Sequence, residues 1–146
     1  MANVVPYSFA QELLKGTHNF TSNTITLALY TANPYTTAST QYTSGSANQV
    51  SGTGYTTGGN TLNNPVVANQ TNVATLTFDA ISWTSATFGA AYGVIFNDTD
   101  GDKLVVVLDF GGTKSCSNGT FTITFPSTSS SGPGAAGTNS LISISS

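Results

Sequence analysis

The stretch VIFNDTDGDKLVVVLDFGG, residues 94–112, decides the fold of this 146-residue chain. Two apolar runs, Gly93–Phe96 and Lys103–Leu108, stand on either side of a segment rich in Asn, Asp and Gly. Short apolar runs with β-branched residues are typical of strands, and Asn, Asp and Gly are the residues that tight turns require. The stretch therefore predicts a β-hairpin.

The turn itself carries carboxylates at alternate positions, Asp98, Asp100 and Asp102. Calcium loops begin with this alternation, so a weak structural calcium site is the alternative to a plain turn. However, Gly101 stands before the third acid instead of after it, and no helices are predicted on either side. The plain turn is favoured, and no cofactor is expected.

Other segments extend the β pattern away from the hairpin. Polar and apolar residues alternate in Thr24–Tyr30, which predicts a half-buried strand with Ile25, Leu27 and Leu29 inward. Val73–Phe78 and Thr120–Phe125 alternate in the same way, and a final strand is predicted at Leu141–Ile144. Ile81 and Trp83 are expected to continue the apolar side of Val73–Phe78 after a bend at Asp79.

One helix is predicted, over Tyr7–Gly16. Pro6 suits a first helical position and Gly16 suits a C-terminal cap. Phe9, Leu13 and Leu14 are expected to share its inner face.

These elements predict a mainly β protein: an antiparallel sandwich or jelly roll with one short N-terminal helix and long Gly/Ser/Thr-rich loops. A single domain over residues 1–146 is expected. It would contain an N-terminal arm with the helix (1–22), a long loop or arm region (31–72) with a strand near Gly59–Leu62, and a flexible loop (127–140) before the last strand.

The composition excludes several partners. Only 6% of the residues are charged, there is no arginine, and the net charge is −3. Three lysines cannot neutralise a nucleic-acid backbone, and no apolar run approaches the length of about 18 residues needed to span a membrane. The first residues lack the pattern of a secretory signal, so synthesis in a cytoplasm is expected.

Catalytic and metal-binding patterns are weak. His18 is the single histidine and Cys116 the single cysteine, which excludes a disulfide within the chain and a thiolate zinc cluster. For His18, a local hydrogen bond to the backbone is the expected role, and for Cys116 a small, partly buried side chain at a loop edge. No nucleophile motif accompanies them, so the protein is not expected to be an enzyme.

Two segments carry a resemblance to known proteins. The short helix within Phe9–Phe20 ends in the turn Gly16-Thr17-His18, and Gly52-Thr-Gly-Tyr55 lies in the long loop region that follows the strand Thr24–Tyr30. Together they resemble small virion proteins of tailed bacteriophages, and most of all the capsid cement (decoration) proteins. The resemblance implies a place on the capsid surface of the virion, with the major capsid protein as partner, and no catalytic residues.

A cement protein must contact several capsid subunits and needs no catalytic residues. Tyr35, Tyr42 and Tyr55 are predicted as exposed partner-contact residues, with packing over their own sheet as the alternative. Symmetric self-association as a dimer or trimer is also expected. Two alternative functions are another virion component, such as a tail or head-fibre protein, and a carbohydrate-binding β-sandwich in which Trp83 and the tyrosines stack on sugars.

Overall fold

The computed structural model describes residues 3–70, 73–125 and 141–145. In this part of the chain the elements follow in the order α1 (Tyr7–Leu14), β1 (Ile25–Tyr30), β2 (Asn60–Thr61), β3 (Val66–Gln70), β4 (Val73–Thr77), β5 (Ile81–Asn97), β6 (Lys103–Ile123) and β7 (Ile142–Ser145). All pairings between these strands are antiparallel. The protein is therefore mainly β with one short helix, as the sequence predicts.

The helix forms where it is predicted, but it presents a different face. Pro6 precedes the first turn, and Gly16 ends the helix with a φ of +74°. Phe9 is buried, whereas the side chain of Leu14 is 92% exposed. The prediction that Leu14 shares the inner face with Phe9 and Leu13 is wrong, because Glu12 takes an inward position instead.

The predicted hairpin is confirmed, and its strands are longer than expected. β5 and β6 pair from Asn97 with Lys103 at the turn to Ile81 with Ile123 at the far end, through several bulges. The separate short strands predicted at 93–96, 103–108 and 120–125 are therefore segments of two long strands. Bulges let a strand bend and stay paired where an alternating pattern is interrupted.

The strands form two sheets. The first has the order β2-β1-β5-β6, and the second has the order β3-β4-β7. Residues 78–80 connect β4 of the second sheet to β5 of the first. After this bend Ile81 and Trp83 continue the apolar side as predicted, because they belong to the same core as Leu76. β7 pairs with β4, which confirms the predicted last strand. The predicted loop at 127–140 lies outside the described residues.

Strand β1 is buried along its whole length. Ile25, Leu27 and Leu29 belong to a core that also holds Leu76 of the second sheet and Phe9 of the helix. The prediction of a half-buried strand is wrong, because the opposite face of β1 is covered as well.

The cover comes from the long region that follows β1. Tyr42 lies flat on Phe96 of β5, with ring centroids 3.9 Å apart, in a second core that also includes Tyr30. The backbone of this segment bonds to the sheet in its middle and at its end, from Leu104 N–H to Thr40 O (3.1 Å) and from Val50 N–H to Leu29 O (2.9 Å). Residues 31–50 therefore pack on their own sheet.

Glycines allow the next part of this region to approach the sheet closely. The predicted strand near Gly59–Leu62 is confirmed as β2, and β3 is an additional strand. A Cβ on Gly59 would lie 1.9 Å from the carbonyl oxygen of Leu27, and one on Gly54 would lie 2.9 Å from Cα of Ala86. Both residues also have positive φ angles, which glycine adopts without steric cost.

Replacing Gly59 by alanine is expected to destabilise the protein by about 3 kcal/mol, because the new methyl group meets backbone that cannot move aside. Gly58→Ala is the matched control: Gly58 also has positive φ but has open space around its Cα. This control should cost only about 1 kcal/mol. Urea unfolding of the three proteins measures both changes, and equal losses in the two variants would contradict the close-approach argument.

Candidate functional site

The acidic turn lies at one end of the hairpin and forms a polar connection. Gly101 and Asp102 both have positive φ angles, of 71° and 59°. Thr99 Oγ1 accepts a hydrogen bond from the backbone N–H of Thr24 (2.8 Å), which ties the turn to the start of β1. The predicted turn is confirmed.

The three alternating acids have different surroundings. Burial, together with the neighbouring Asp98 carboxylate, raises the pKa of Asp102 above its ordinary value. Asp100 instead accepts a hydrogen bond from the side chain of Asn97 (3.3 Å). Within residues 3–70, 73–125 and 141–145, no group of three or more His, Cys, Asp or Glu side chains is arranged to hold a metal ion. The alternative of a calcium site at Asp98, Asp100 and Asp102 gains no support from this geometry.

A buried chain of polar side chains joins the turn to helix α1. Glu12 accepts a hydrogen bond from His18 Nε2 (3.0 Å) and forms a salt bridge with Lys103 Nζ (3.2 Å). On the other side of the ring, His18 Nδ1 lies 3.1 Å from Asn97 Nδ2, and Asn97 bonds in turn to Asp100. Residues from the helix, the turn after it and both hairpin strands thus meet in one network.

The hydrogen-bond partners of the His18 ring indicate its tautomer. The two hydrogens of the Asn97 amide point to His18 Nδ1 and to Asp100 Oδ2, while Asn97 Oδ1 accepts from the Asp100 N–H (3.4 Å). Nδ1 must then be an acceptor, so the proton on the neutral ring sits at Nε2 and is donated to Glu12. The expected bond from His18 to backbone is replaced by two bonds to side chains.

This arrangement does not suit catalysis by a histidine base. A general base needs one ring nitrogen facing the group whose proton it takes. Both nitrogens of His18 are occupied by Glu12 and Asn97, and the ring is fully buried between Phe9 and Phe20. The network has a structural role, which is to hold the helix on the hairpin.

The predicted contact tyrosines lie over their own sheet. Tyr42 is only 6% exposed, and Tyr35 and Tyr55 are half-buried. The expectation that all three are exposed is wrong. The alternative, that they pack over their own sheet, describes their positions.

Their hydroxyl groups serve the fold as well. Tyr55 Oη accepts from the backbone N–H of Leu29 (2.9 Å), and Tyr35 Oη accepts from that of Thr43 (2.8 Å). Gln49 Nε2 donates to Tyr42 Oη (3.0 Å) and Tyr55 Oη (3.3 Å). Burial raises the pKa of Tyr55, which agrees with a hydroxyl held inside the protein.

Two further candidate residues are also structural. Trp83 is buried in the core, where it packs edge-on against Phe88 and Phe121. Cys116 is half-buried, as expected, but it lies within strand β6 instead of at a loop edge, and its Sγ lies 3.7 Å from the carbonyl oxygen of Phe88. Trp83 is thus enclosed by its own core, whereas Cys116 lines an open pocket on β6 together with Phe110 and Phe121.

An exposed apolar surface lies beside helix α1, and the sequence analysis did not find it. Between α1 and the second sheet runs a groove of about 170 Å³, whose lining includes Leu13, Phe20, Val67, Ile142 and Ile144. Val67 and Ile144 at its edge are each 56% exposed. We call Leu14 together with this groove the α1 surface.

A signal for the α1 surface exists in the sequence. Leu13 and Leu14 are adjacent, and adjacent helical residues point about 100° apart, so they cannot both face a narrow core. Val67 and Ile144 lie in strands whose partner strands must be known before their exposed side can be assigned. For those two residues the sequence carries no sufficient signal.

Comparisons with known proteins gave no match: no protein-family model, no curated protein and no solved structure is similar to this chain. No helix in the described part of the chain has the length and apolar character needed to cross a membrane. The geometry of the site therefore carries the functional argument.

Asn97→Leu should destabilise the protein by about 1–3 kcal/mol, because it leaves His18 Nδ1 without its hydrogen-bond donor in a buried position. Asn63→Leu makes the same chemical change at an exposed site and should alter the unfolding free energy by less than about 0.5 kcal/mol. Urea unfolding monitored by circular dichroism compares the two. If Asn97→Leu lowers the unfolding free energy no more than Asn63→Leu does, the network does not hold the helix.

Asp102→Asn should stabilise the protein at pH 7 by up to about 0.5 kcal/mol. The raised pKa means that ionisation of Asp102 costs more in the folded than in the unfolded state. Asparagine carries no charge and tolerates the positive φ at this position. Below a pH of about 3 the aspartate is protonated in both states, so the advantage of the variant should disappear there.

Melting temperatures of the wild type and Asp102→Asn between pH 3 and pH 7 test whether the variant is more stable at pH 7 and equally stable at pH 3. Asp79→Asn, at the exposed connection between β4 and β5, removes the same charge and is the control. A stabilisation by Asp102→Asn that does not change with pH would contradict the electrostatic cause.

Proposed function

We propose that this protein is a capsid cement protein of a tailed bacteriophage, which binds the outer surface of the major capsid shell and stabilises it by non-covalent contacts. In this proposal the two antiparallel sheets form a β-sandwich of the jelly-roll type. The virion is the place of action, and the major capsid protein is the partner.

The observation that carries the proposal is a preformed, nearly uncharged surface with exposed apolar side chains. Six large apolar side chains are exposed among the described residues: Val5, Tyr7, Leu14, Val66, Val67 and Ile144. Of only nine charged residues in the chain, three are engaged in the network below helix α1. A surface of this kind suits a protein that works within an assembly.

The folded long region supports the same proposal. Residues 31–50 are bonded to their own sheet, so this long region needs no ordering step when a partner binds elsewhere on the protein. Contacts that are already ordered lose less conformational entropy on binding. Many copies on a symmetric shell also allow each single contact to be weak, because the contacts act together.

The resembling segments have structural roles in this protein. Gly16 ends the helix, His18 belongs to the buried network, and Gly54 lies close against β5. The contacts with the shell are assigned to the exposed apolar residues, in place of the tyrosines expected from the sequence.

Another virion component, in a tail or head fibre, is the second candidate, since the same surface suits any viral assembly. The carbohydrate-binding alternative depended mainly on an exposed Trp83, and this residue is not exposed. Sugars stack on exposed aromatic faces, and Trp83 is buried beneath Tyr55 and Phe88.

The test is co-sedimentation of the purified protein with expanded capsids of the phage that encodes it, prepared without decoration. We expect saturable binding at a fixed ratio to the capsid subunits, together with a higher temperature of capsid rupture. Capsids that already carry the native cement protein are the control and should bind no more. Binding to isolated tails but not to these capsids would move the assignment to the second candidate.

A further inference from the structure

Asn118 lies at an irregular point of the long hairpin. Ala86 of β5 pairs with Gly119, and Phe88 pairs with Cys116, so β6 holds one more residue than β5 in this interval. An extra residue of this kind forms a β-bulge, where the regular ladder of backbone hydrogen bonds is interrupted. Asn118 is exposed and has a φ of +48°. Its backbone therefore does not have the regular conformation of a strand.

The residue after Asn118 is a glycine, and an asparagine precedes a glycine only once in this sequence. Asparagine is among the thermolabile residues. The backbone nitrogen of the following residue attacks the side-chain carbon Cγ of the asparagine, and a Cβ on that residue hinders the attack. Gly119 has no Cβ, and glycine allows the widest range of backbone conformations. The pair Asn118-Gly119 therefore meets the chemical requirements of this reaction.

The side-chain amide of Asn118 is able to turn towards the backbone. The backbone N–H of Asn118 donates to Thr87 Oγ1 (2.9 Å), which holds the bulge on β5. Among the residues that the structure describes, none forms a hydrogen bond with the Asn118 side chain itself. Rotation of this side chain therefore breaks no hydrogen bond within the described residues.

Other asparagines lack one of these conditions. Asn33 and Asn64 precede prolines, whose nitrogen carries no hydrogen that can be lost during the attack. Asn97 is fully buried, and its side-chain amide is bonded to His18 and Asp100. Exposure, an unbonded side-chain amide and a following glycine thus come together at Asn118.

We propose that Asn118 is a site of spontaneous deamidation in the folded protein. The nitrogen of Gly119 loses its proton and bonds to Cγ of Asn118, and the Cγ–Nδ2 bond breaks with release of ammonia. The product of this step is a five-membered succinimide ring. Water then opens the ring at one of its two carbonyl carbons, which gives aspartate or isoaspartate at position 118. The inference goes beyond the proposed function, because the reaction needs only water.

Deamidation changes the charge of a protein that has few charges. Residues 110–125 contain a single charged side chain, that of Lys114. A new carboxylate at position 118 balances this charge, and one further negative charge takes the net charge of the chain from −3 to −4. Because Asn118 is exposed, the carboxylate stays in water and the protein stays folded. The reaction thus gives two folded forms that differ in charge.

The test is incubation of the folded protein at several pH values from neutral to mildly alkaline, followed by anion-exchange chromatography and peptide mapping by mass spectrometry. We expect a more acidic form in which the side-chain NH₂ of Asn118 is replaced by OH. The rate should rise with the hydroxide concentration, because the attacking nitrogen must lose its proton. Circular dichroism before and after the incubation checks that the protein stays folded.

Gly119→Ala tests the attacking group and should slow the conversion by about tenfold or more, because the new Cβ hinders the attack. Gly119 has no positive φ, and a Cβ there would lie 3.7 Å from the carbonyl oxygen of Ser117, which is an ordinary contact. This variant should therefore fold, with a melting temperature within about 2 °C of the wild type. Ser117→Ala, an exposed change on the other side of Asn118, is the control and should leave the rate unchanged.

Three outcomes would overturn the proposal. If Asn118 stays intact in the folded protein while a peptide of residues 113–123 deamidates completely, the fold prevents the attack. Equal rates in the wild type and Gly119→Ala would exclude the Gly119 nitrogen as the attacking group. Conversion at Asn139, which precedes a serine, without conversion at Asn118 would place the reaction at a different site.

Discussion

Burial of strand β1 on both faces is the constraint on which the rest of the structure depends. Its Ile25, Leu27 and Leu29 face a core shared with the second sheet and the helix, while Ala28 and Tyr30 face the opposite way. A sheet with two apolar faces needs two covers. The chain supplies the second one from residues 31–50, a segment rich in Thr, Ser and Tyr that would otherwise be a long irregular loop.

The chain has few ionisable residues, and several of them form one network that supports the fold. The only glutamate and the only histidine of the chain meet in one network with Lys103, and Asn97 and Asp100 complete it. A buried polar group is tolerated when its hydrogen bonds are satisfied, and each member here has a partner. The network sets the position of helix α1 on the hairpin, and that position in turn creates the groove beside the second sheet.

The aromatic residues illustrate how the same composition can serve two purposes. Tyrosines are favourable at interfaces because they combine apolar area with a hydroxyl, and the same properties suit a cover that must pack on a sheet and bond to it. Tyr42 and Tyr55 serve as such a cover. This leaves aliphatic residues, Leu14 and Val67 among them, as the main exposed apolar groups of the described residues.

The sequence by itself determined the elements whose signals are local. The hairpin turn at Asn97–Asp102, the helix end at Gly16 and the last strand follow from turn chemistry, capping and alternation, which act within a few residues. Tertiary structure alone decided which faces are covered and which polar groups meet. His18 and Asn97 are far apart in the chain, and β1 alternates as a half-exposed strand would. Burial depends on packing between distant segments, and no local pattern of residues encodes that packing.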